Sequence, residues 1–197
     1  MRKVGKVLAW LFGLVAAGVV AAAFWFWFTP VGLNNYVNKI TLQFTLDSPQ
    51  VLSQLGFIDN TPLDFHSGRL DDYTRAHEVA ALERLRKARA GLDRYGPDGL
   101  EDQELTTWKV TAWFLDDLIR EAEFEHGGYR VNQISGPLVE TPQFLTDLHV
   151  IKDERSVERY LSRVQDFGRV LREVKVRVED DRDHGVVPPD FVIALTT

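Results

Sequence analysis

Imidazole serves both zinc binding and proton transfer near neutral pH, so the five histidines, His66, His77, His126, His149 and His184, are weighed first. A helical zinc site of the His-Glu-x-x-His kind places two histidines four apart on one helix face, with the glutamate as base. His77 and Glu78 supply its first half, but Ala81 stands where the second histidine is required. His126 and His184 fall at expected helix C-termini, where an imidazolium suits the dipole, and His149 ends a short helix or covers a turn. Spread over separate elements, the five should hold zinc no better than a surface histidine does. No metal ligand, catalytic residue or cofactor-binding residue is assigned.

Carboxylates come in adjacent pairs, Asp71-Asp72, Asp116-Asp117 and Asp180-Asp181. Neighbours on an α-helix point about 100° apart, so such a pair does not share one proton as a catalytic dyad does. Residues 179–183 read as a solvated, frayed helix end. No Gly-x-Ser-x-Gly elbow, phosphate-binding glycine loop or dinucleotide fingerprint is present. The polar, non-helical stretch from Asn132 to Pro137 leaves two readings open. It is either a turn capped by Asn132 and Ser135 on their own backbone, or a cleft-lining loop that presents Asn132, Gln133, Ser135 and Gly136.

Helices must position these residues. Ser48-Pro49 is an N-cap with proline in the first turn, and Gly56 closes that short helix. Residues 36–46 fit a short helix or an extended arm, and residues 57–68 read as loop. Across 74–95, Ala76, Val79, Leu82, Leu85, Arg89 and Leu92 fall at steps of three or four, before Gly96-Pro97 stops the helix. Across 101–126, Leu105, Trp108, Ala112, Leu115, Ile119 and Ala122 form a core-facing stripe, widened by Phe114 and Leu118. Thr141-Pro142 starts another short helix. The last long helix, 154–184, places Val157, Tyr160, Leu161, Val164, Phe167, Leu171, Val174 and Val178 on one face, with Gly185 just past its end. Pro188-Pro189 opens one more helix.

Residues 7–28, VLAWLFGLVAAGVVAAAFWFWF, carry no charged side chain, and about 20 apolar residues in a helix cross a bilayer. Arg2, Lys3 and Lys6 precede the run, and the next positive charge is Lys39. The positive-inside rule keeps the N-terminus cytoplasmic and exports the chain beyond Phe28, and Trp25 and Trp27 sit at headgroup level. The expected location is therefore the inner membrane, single-pass, with the soluble part periplasmic or extracellular. A cleavable signal peptide competes through the small residues Ala21 and Ala23. Against it stand the length of the run and the aromatic stretch that cleavage would leave at the new N-terminus. A buried core helix would not need the one-sided charge flank. The exported part holds 20 basic and 29 acidic residues, net −9, which argues against nucleic acid and against anionic headgroups as partners of the soluble part. With no cysteine there is no disulfide, thiol nucleophile or thiolate metal site.

The run YRVNQISGPLVETPQFLTDLHVIKDERSVERYLSRV, followed by a long helix and GVVPPDFVI, resembles the N-terminal half of the bacterial family called domain of unknown function 885. Upstream, LGFIDNTPLDFHSGRLDDYT and the two helices ending at Gly127 keep that family's order, so the resemblance covers residues 45–193. It implies an all-helical, exported or lipid-anchored protein similar to zinc metallopeptidases, with an HExxH-like motif in a second half beyond this region. None of those zinc ligands can be placed in this chain, so zinc belongs only to a complete family member. Only Asn132, Gln133, Ser135 and Gly136 match a family motif, and residues 194–197 depart from the continuing helix.

The expected fold is all-α, a helical bundle with one N-terminal transmembrane helix. It divides into a cytoplasmic tip and anchor at 1–28, a membrane-proximal arm at 29–68 and a helical region at 69–197, incomplete at its C-terminus. The expected function is that of a membrane-anchored, exported protein resembling the N-terminal part of a metallopeptidase-like hydrolase and not catalytic by itself. The alternative is a non-enzymatic, membrane-tethered binding module of the cell envelope. The membrane is met through residues 7–28, with a peptide or the missing C-terminal half as partner. An uncleaved anchor predicts that the chain stays with membranes after carbonate washing and keeps Met1. A soluble species beginning at Phe24 would instead establish a signal peptide.

Overall fold

The computed structural model describes residues 2–59 and 61–196, with side chains from Trp10 to Leu195 apart from Asn60. Among them are eight α-helices and no strand. They are α1 (Arg2–Phe28), α2 (Leu33–Asp47), α3 (Pro49–Leu55), α4 (Arg75–Leu92), α5 (Asp102–Glu123), α6 (Pro137–Gln143), α7 (Glu154–Asp183) and α8 (Asp190–Thr196). A 3-10 turn, Asp93–Tyr95, prolongs α4, and a π-helical turn, Phe144–Leu148, prolongs α6. The side chains of Arg2, Lys3 and Lys6, which carry the expected orientation, lie outside the described residues, as do Asn60 and Thr197.

The helix starts arise from local chemistry. Ser48 accepts a hydrogen bond from Val51 N, Thr74 from His77 N and Asp153 from Ser156 N, so each supplies an oxygen to an otherwise unpaired helix N–H. Residues 36–46 resolve as helix, within α2. The expected start at Thr141-Pro142 is corrected: α6 begins at Pro137, and Pro142 lies inside it. Gly136, at φ +97°, turns the chain so that Pro137 can occupy the first helical position, which needs no N–H. Downstream the helix widens, and His149 N reaches Phe144 O at 3.0 Å. The expected end of α5 near His126 is also corrected, because Phe124 leaves helical geometry at ψ 67°.

Span Trp10–Phe28 of α1 is long and apolar enough to cross a membrane, and none of it is buried against the rest of the protein. That excludes a core helix and fits an anchor or signal sequence. Beyond it, two cores form. In the first, Leu33, Tyr36 and Ile40 of α2 meet Leu85, Ala88 and Leu92 of α4 and Ala112 and Leu115 of α5. Tyr36 donates to Ala88 O at 2.8 Å and lies over Gly91, where a Cβ would meet its hydroxyl at 1.9 Å. Any side chain at 91 would displace the tyrosine. Phe114, expected to widen the core stripe, is half exposed.

The second core joins Leu70, Phe144, Leu145, Val170 and Val174. Here α7 turns a different face inward than its apolar residues suggest. Its buried row is Ser156, Arg163, Val170, Val174, Arg177 and Asp181, with Tyr160 and Phe167 packed beside it. Val157, Leu161, Val164, Leu171 and Val178 are exposed. The reason lies opposite: residues 69–74 form no helix or strand, and several backbone groups of the segment 68–73 bond to α7 side chains. Ser162 donates to Gly68 O at 2.9 Å, Arg163 to Arg69 O at 2.9 Å, and Arg169 to Leu70 O at 3.1 Å and Asp71 O at 3.0 Å. Asp166 accepts from Leu70 N and Glu173 from Tyr73 N. Arg169 also binds Asp166, which holds that carboxyl below the usual carboxylate range.

Arg163 is 1% exposed, and burial pulls its pKa down to about 10. It also donates to Ser53 Oγ at 2.6 Å and to Nδ1 of His149 at 2.7 Å. His149 must accept there, so its proton sits on Nε2, facing Ser156 O at 3.2 Å. Burial first, then the Arg163 charge, lower its pKa from the ordinary 6.5. The unfolded chain then takes up a proton where the folded one does not, so stability is lost as pH falls through 6.5. In His149→Gln, whose amide oxygen can accept from Arg163, denaturation midpoints between pH 7.5 and 5 should fall less than in the wild type.

Candidate functional site

Charged groups converge where the start of α4, the C-terminal end of α7 and the loop after α5 meet. Arg130, on that loop, donates in three directions: Nε to Asp181 Oδ2 at 2.8 Å, Nη1 to Glu78 Oε1 at 2.7 Å and Nη2 to Glu125 O at 3.0 Å. Arg177, 3% exposed, completes the circuit through Glu78 at 2.9 Å and Asp180 at 2.8 Å. Arg75 pairs with Glu125. Leaving the histidines neutral, three arginines face four carboxylates. Arginine suits such a hub because its planar fork reaches several acceptors at fixed angles.

Asp181 also accepts from His126 Nδ1 at 2.6 Å, and His184 Nδ1 faces Asp180 O at 2.8 Å. The two imidazoles, expected on separate elements, lie stacked with centroids 4.1 Å apart and planes 15° apart. With Asp180 they can offer three ligand atoms within 4.8 Å. The rings argue against a metal centre as they stand. An ion bound by both Nε2 atoms must lie close to both ring planes, and planes so nearly parallel do not converge on it. His184 does cap α7, as its position suggests; His126 instead binds across to α7. No side-chain hydroxyl is hydrogen-bonded to either imidazole among the described residues.

Two open clefts flank the network. One, of 960 Å³, lies between α4 and the end of α5, with Val79, Leu82 and Leu118 beneath and Tyr129 and Arg130 at its side. The other, of 530 Å³, is lined by His126, Glu173, Arg177, Asp180 and His184. The loop residues singled out in the sequence line neither cleft. Asn132 Oδ1 accepts from Ile134 N and Ser135 N, both at 2.8 Å, and Asn132 Nδ2 donates to Ser135 Oγ at 3.0 Å. Gln133 is exposed. At Gly136 a Cβ would sit 2.5 Å from Arg130 O, so glycine lets this turn close onto the backbone of the hub arginine. The turn supports Arg130 from behind. Arg130 itself was missed because it reads as one more surface cation. The seven-residue interval Arg163–Val170–Arg177, with Val174 and Asp181 on the same row, was the available signal.

These elements, from α3 onward, fall within one family's span: residues 49–197 match the model described as bacterial protein of unknown function (DUF885). The chain belongs to DUF885. The match begins at the first residue of α3, so α1 and α2 lie outside it. No characterised protein and no solved structure matches this DUF885 chain.

Arg130→Ala leaves Asp181, 4% exposed, and Glu78 short of their shared cation. Breaking a buried pair costs about 3–5 kcal/mol; with Glu78 partly in water, a loss of about 2–3 kcal/mol is expected. Arg130→Lys, with one point donor for three directions, should recover less than half. Denaturation of the full chain in detergent, followed by circular dichroism, reads both.

Proposed function

We propose that this DUF885 chain is a membrane-anchored, exported helical module that forms the N-terminal part of a zinc-metallopeptidase-like hydrolase and does not catalyse by itself. The observation that carries the proposal is the outward row of α7. Val157, Leu161, Val164 and Leu171 are 40–53% exposed and, with Val178, follow at steps of four, three, seven and seven along one line of a 30-residue helix. Contiguous apolar surface of this kind marks a face that packs against another body, and heptad spacing selects another helix as its complement. The resemblance to zinc metallopeptidases supplies the identity of that body, a helical half bearing the zinc motif. The stacked, hydrogen-bonded histidines fit the same division of labour, since this module then serves to hold and orient.

The second reading, a non-enzymatic binding module of the cell envelope, is favoured by the 960 Å³ cleft, which is large enough for a peptide side chain or two. The two readings separate experimentally. Residues 29–197 expressed alone should be helical, associate through α7 and show no peptidase activity. Leu161→Glu with Leu171→Glu should make them monodisperse. A wild-type monomer that melts cooperatively would remove the partner-half reading and leave the self-contained module.

A further inference from the structure

A third cleft, of 710 Å³, opens where α1 enters the domain, within the size range of small-molecule sites. Its floor is Trp27, Phe28 and Pro30, the exit end of the apolar helix. Its walls come from α2, α4 and the 3-10 turn and carry Lys39, Arg84, Lys87 and Arg94 against a single carboxylate, Asp47. That is net +3 within an exported part of net −9, so the remainder is net −12. The overall balance, which argues against anionic headgroups, conceals this reversal of sign.

The pairing pattern sharpens the contrast. Arg84 is bound to Asp47 and Lys87 to Glu83. Lys39 and Arg94 make no ion pair among the described residues. Lys39 Nζ instead reaches down over the Trp27 ring, 5.9 Å from its centroid. Arg94 belongs to the 3-10 turn that Tyr95 fastens to the anchor by donating to Pro30 O at 2.6 Å. Two uncommitted cations therefore stand at the level where a spanning helix leaves the hydrocarbon. Aromatic rings at that level mark the headgroup zone, and phosphate oxygens draw unpaired Lys and Arg into charge-assisted hydrogen bonds.

We propose that this cleft binds the phosphate headgroup of an anionic phospholipid in the leaflet beneath the domain, with Lys39 and Arg94 contacting the phosphate and Trp27 and Phe28 bordering the acyl chains. The inference rests on α1 being retained as an anchor. Lys39 and Arg94 gain the anionic partner that the fold does not give them, and Arg offers a forked contact to phosphate oxygens. Lys87 adds to the field at the rim.

The test uses the full chain in detergent micelles, titrated with phosphatidylglycerol or phosphatidylcholine and read by native mass spectrometry. Carbonate extraction of the same preparation's membranes is scored separately. Phosphatidylglycerol should be retained in preference to phosphatidylcholine. Lys39→Gln with Arg94→Gln should reduce that preference about tenfold. Arg120→Gln with Arg172→Gln, an equal charge loss on exposed positions elsewhere, should leave it unchanged. Equal retention of the two lipids, or an unchanged preference in the Lys39/Arg94 variant, overturns the inference while the anchor stands. Millimolar inorganic phosphate that displaces phosphatidylglycerol completely would make the cleft a free-phosphate site and overturn the lipid assignment. A chain released by carbonate would remove the anchor, and the inference with it.

Discussion

A non-helical stretch of backbone in an all-helical protein has neither a helix nor a neighbouring strand to satisfy its N–H and C=O groups, and leaving them unpaired in the interior is costly. Residues 68–74 are such a stretch, and α7 is built to meet them. Its Ser162, Arg163, Asp166, Arg169 and Glu173 bind successive backbone groups along the segment. The polar row of α7 therefore faces inward beside Val170 and Val174, while Val157, Leu161, Val164, Leu171 and Val178 are left outside. The position of Arg177 and Asp181 at the far end of the same row brings them to Glu78 and Arg130. The second core, the charge network and the uncovered apolar line are three results of one requirement.

That requirement also separates what the sequence discloses from what it hides. Helix starts at Ser48 and Thr74 and the stops at Gly56 and Gly185 depend on a few adjacent atoms, and they stand where local chemistry puts them. The stripe Ala112–Leu115–Ile119 packs inward because α5 meets the apolar faces of α2 and α4. On α7 the same periodic logic is right for Val174, Tyr160 and Phe167 and wrong for Val157, Leu161, Val164, Leu171 and Val178, since it counts arginine as an outside residue. Arg163 is nearly inaccessible, yet five neutral acceptors surround it, and no pattern in the sequence marks the carbonyls of a distant loop.

Side-chain pairs of long sequence separation were equally hidden. His126 and His184 lie 58 positions apart and stack only because the loop after α5 folds back across the end of α7. Thr141-Pro142 carries a valid helix-start signal, but Gly136-Pro137 carries one earlier in the chain, and the left-handed backbone at Gly136 gives it precedence. Charge was misleading in another way. A total of −9 averages over a surface on which cations gather at one end, and averaging removes the spatial information that a partner would detect.

Four residues separate the end of α1 at Phe28 from the start of α2 at Leu33. At about 3.5 Å per extended residue they could span about 14 Å, and Tyr95 already fastens Pro30 to the domain. With α1 in a bilayer, the domain has almost no leash. It could not then sample the surrounding compartment as a protein on a long linker does. Held by such an anchor it would wait at the lipid surface, and whatever it meets would have to arrive there by travelling in the plane of the membrane or by coming down to it.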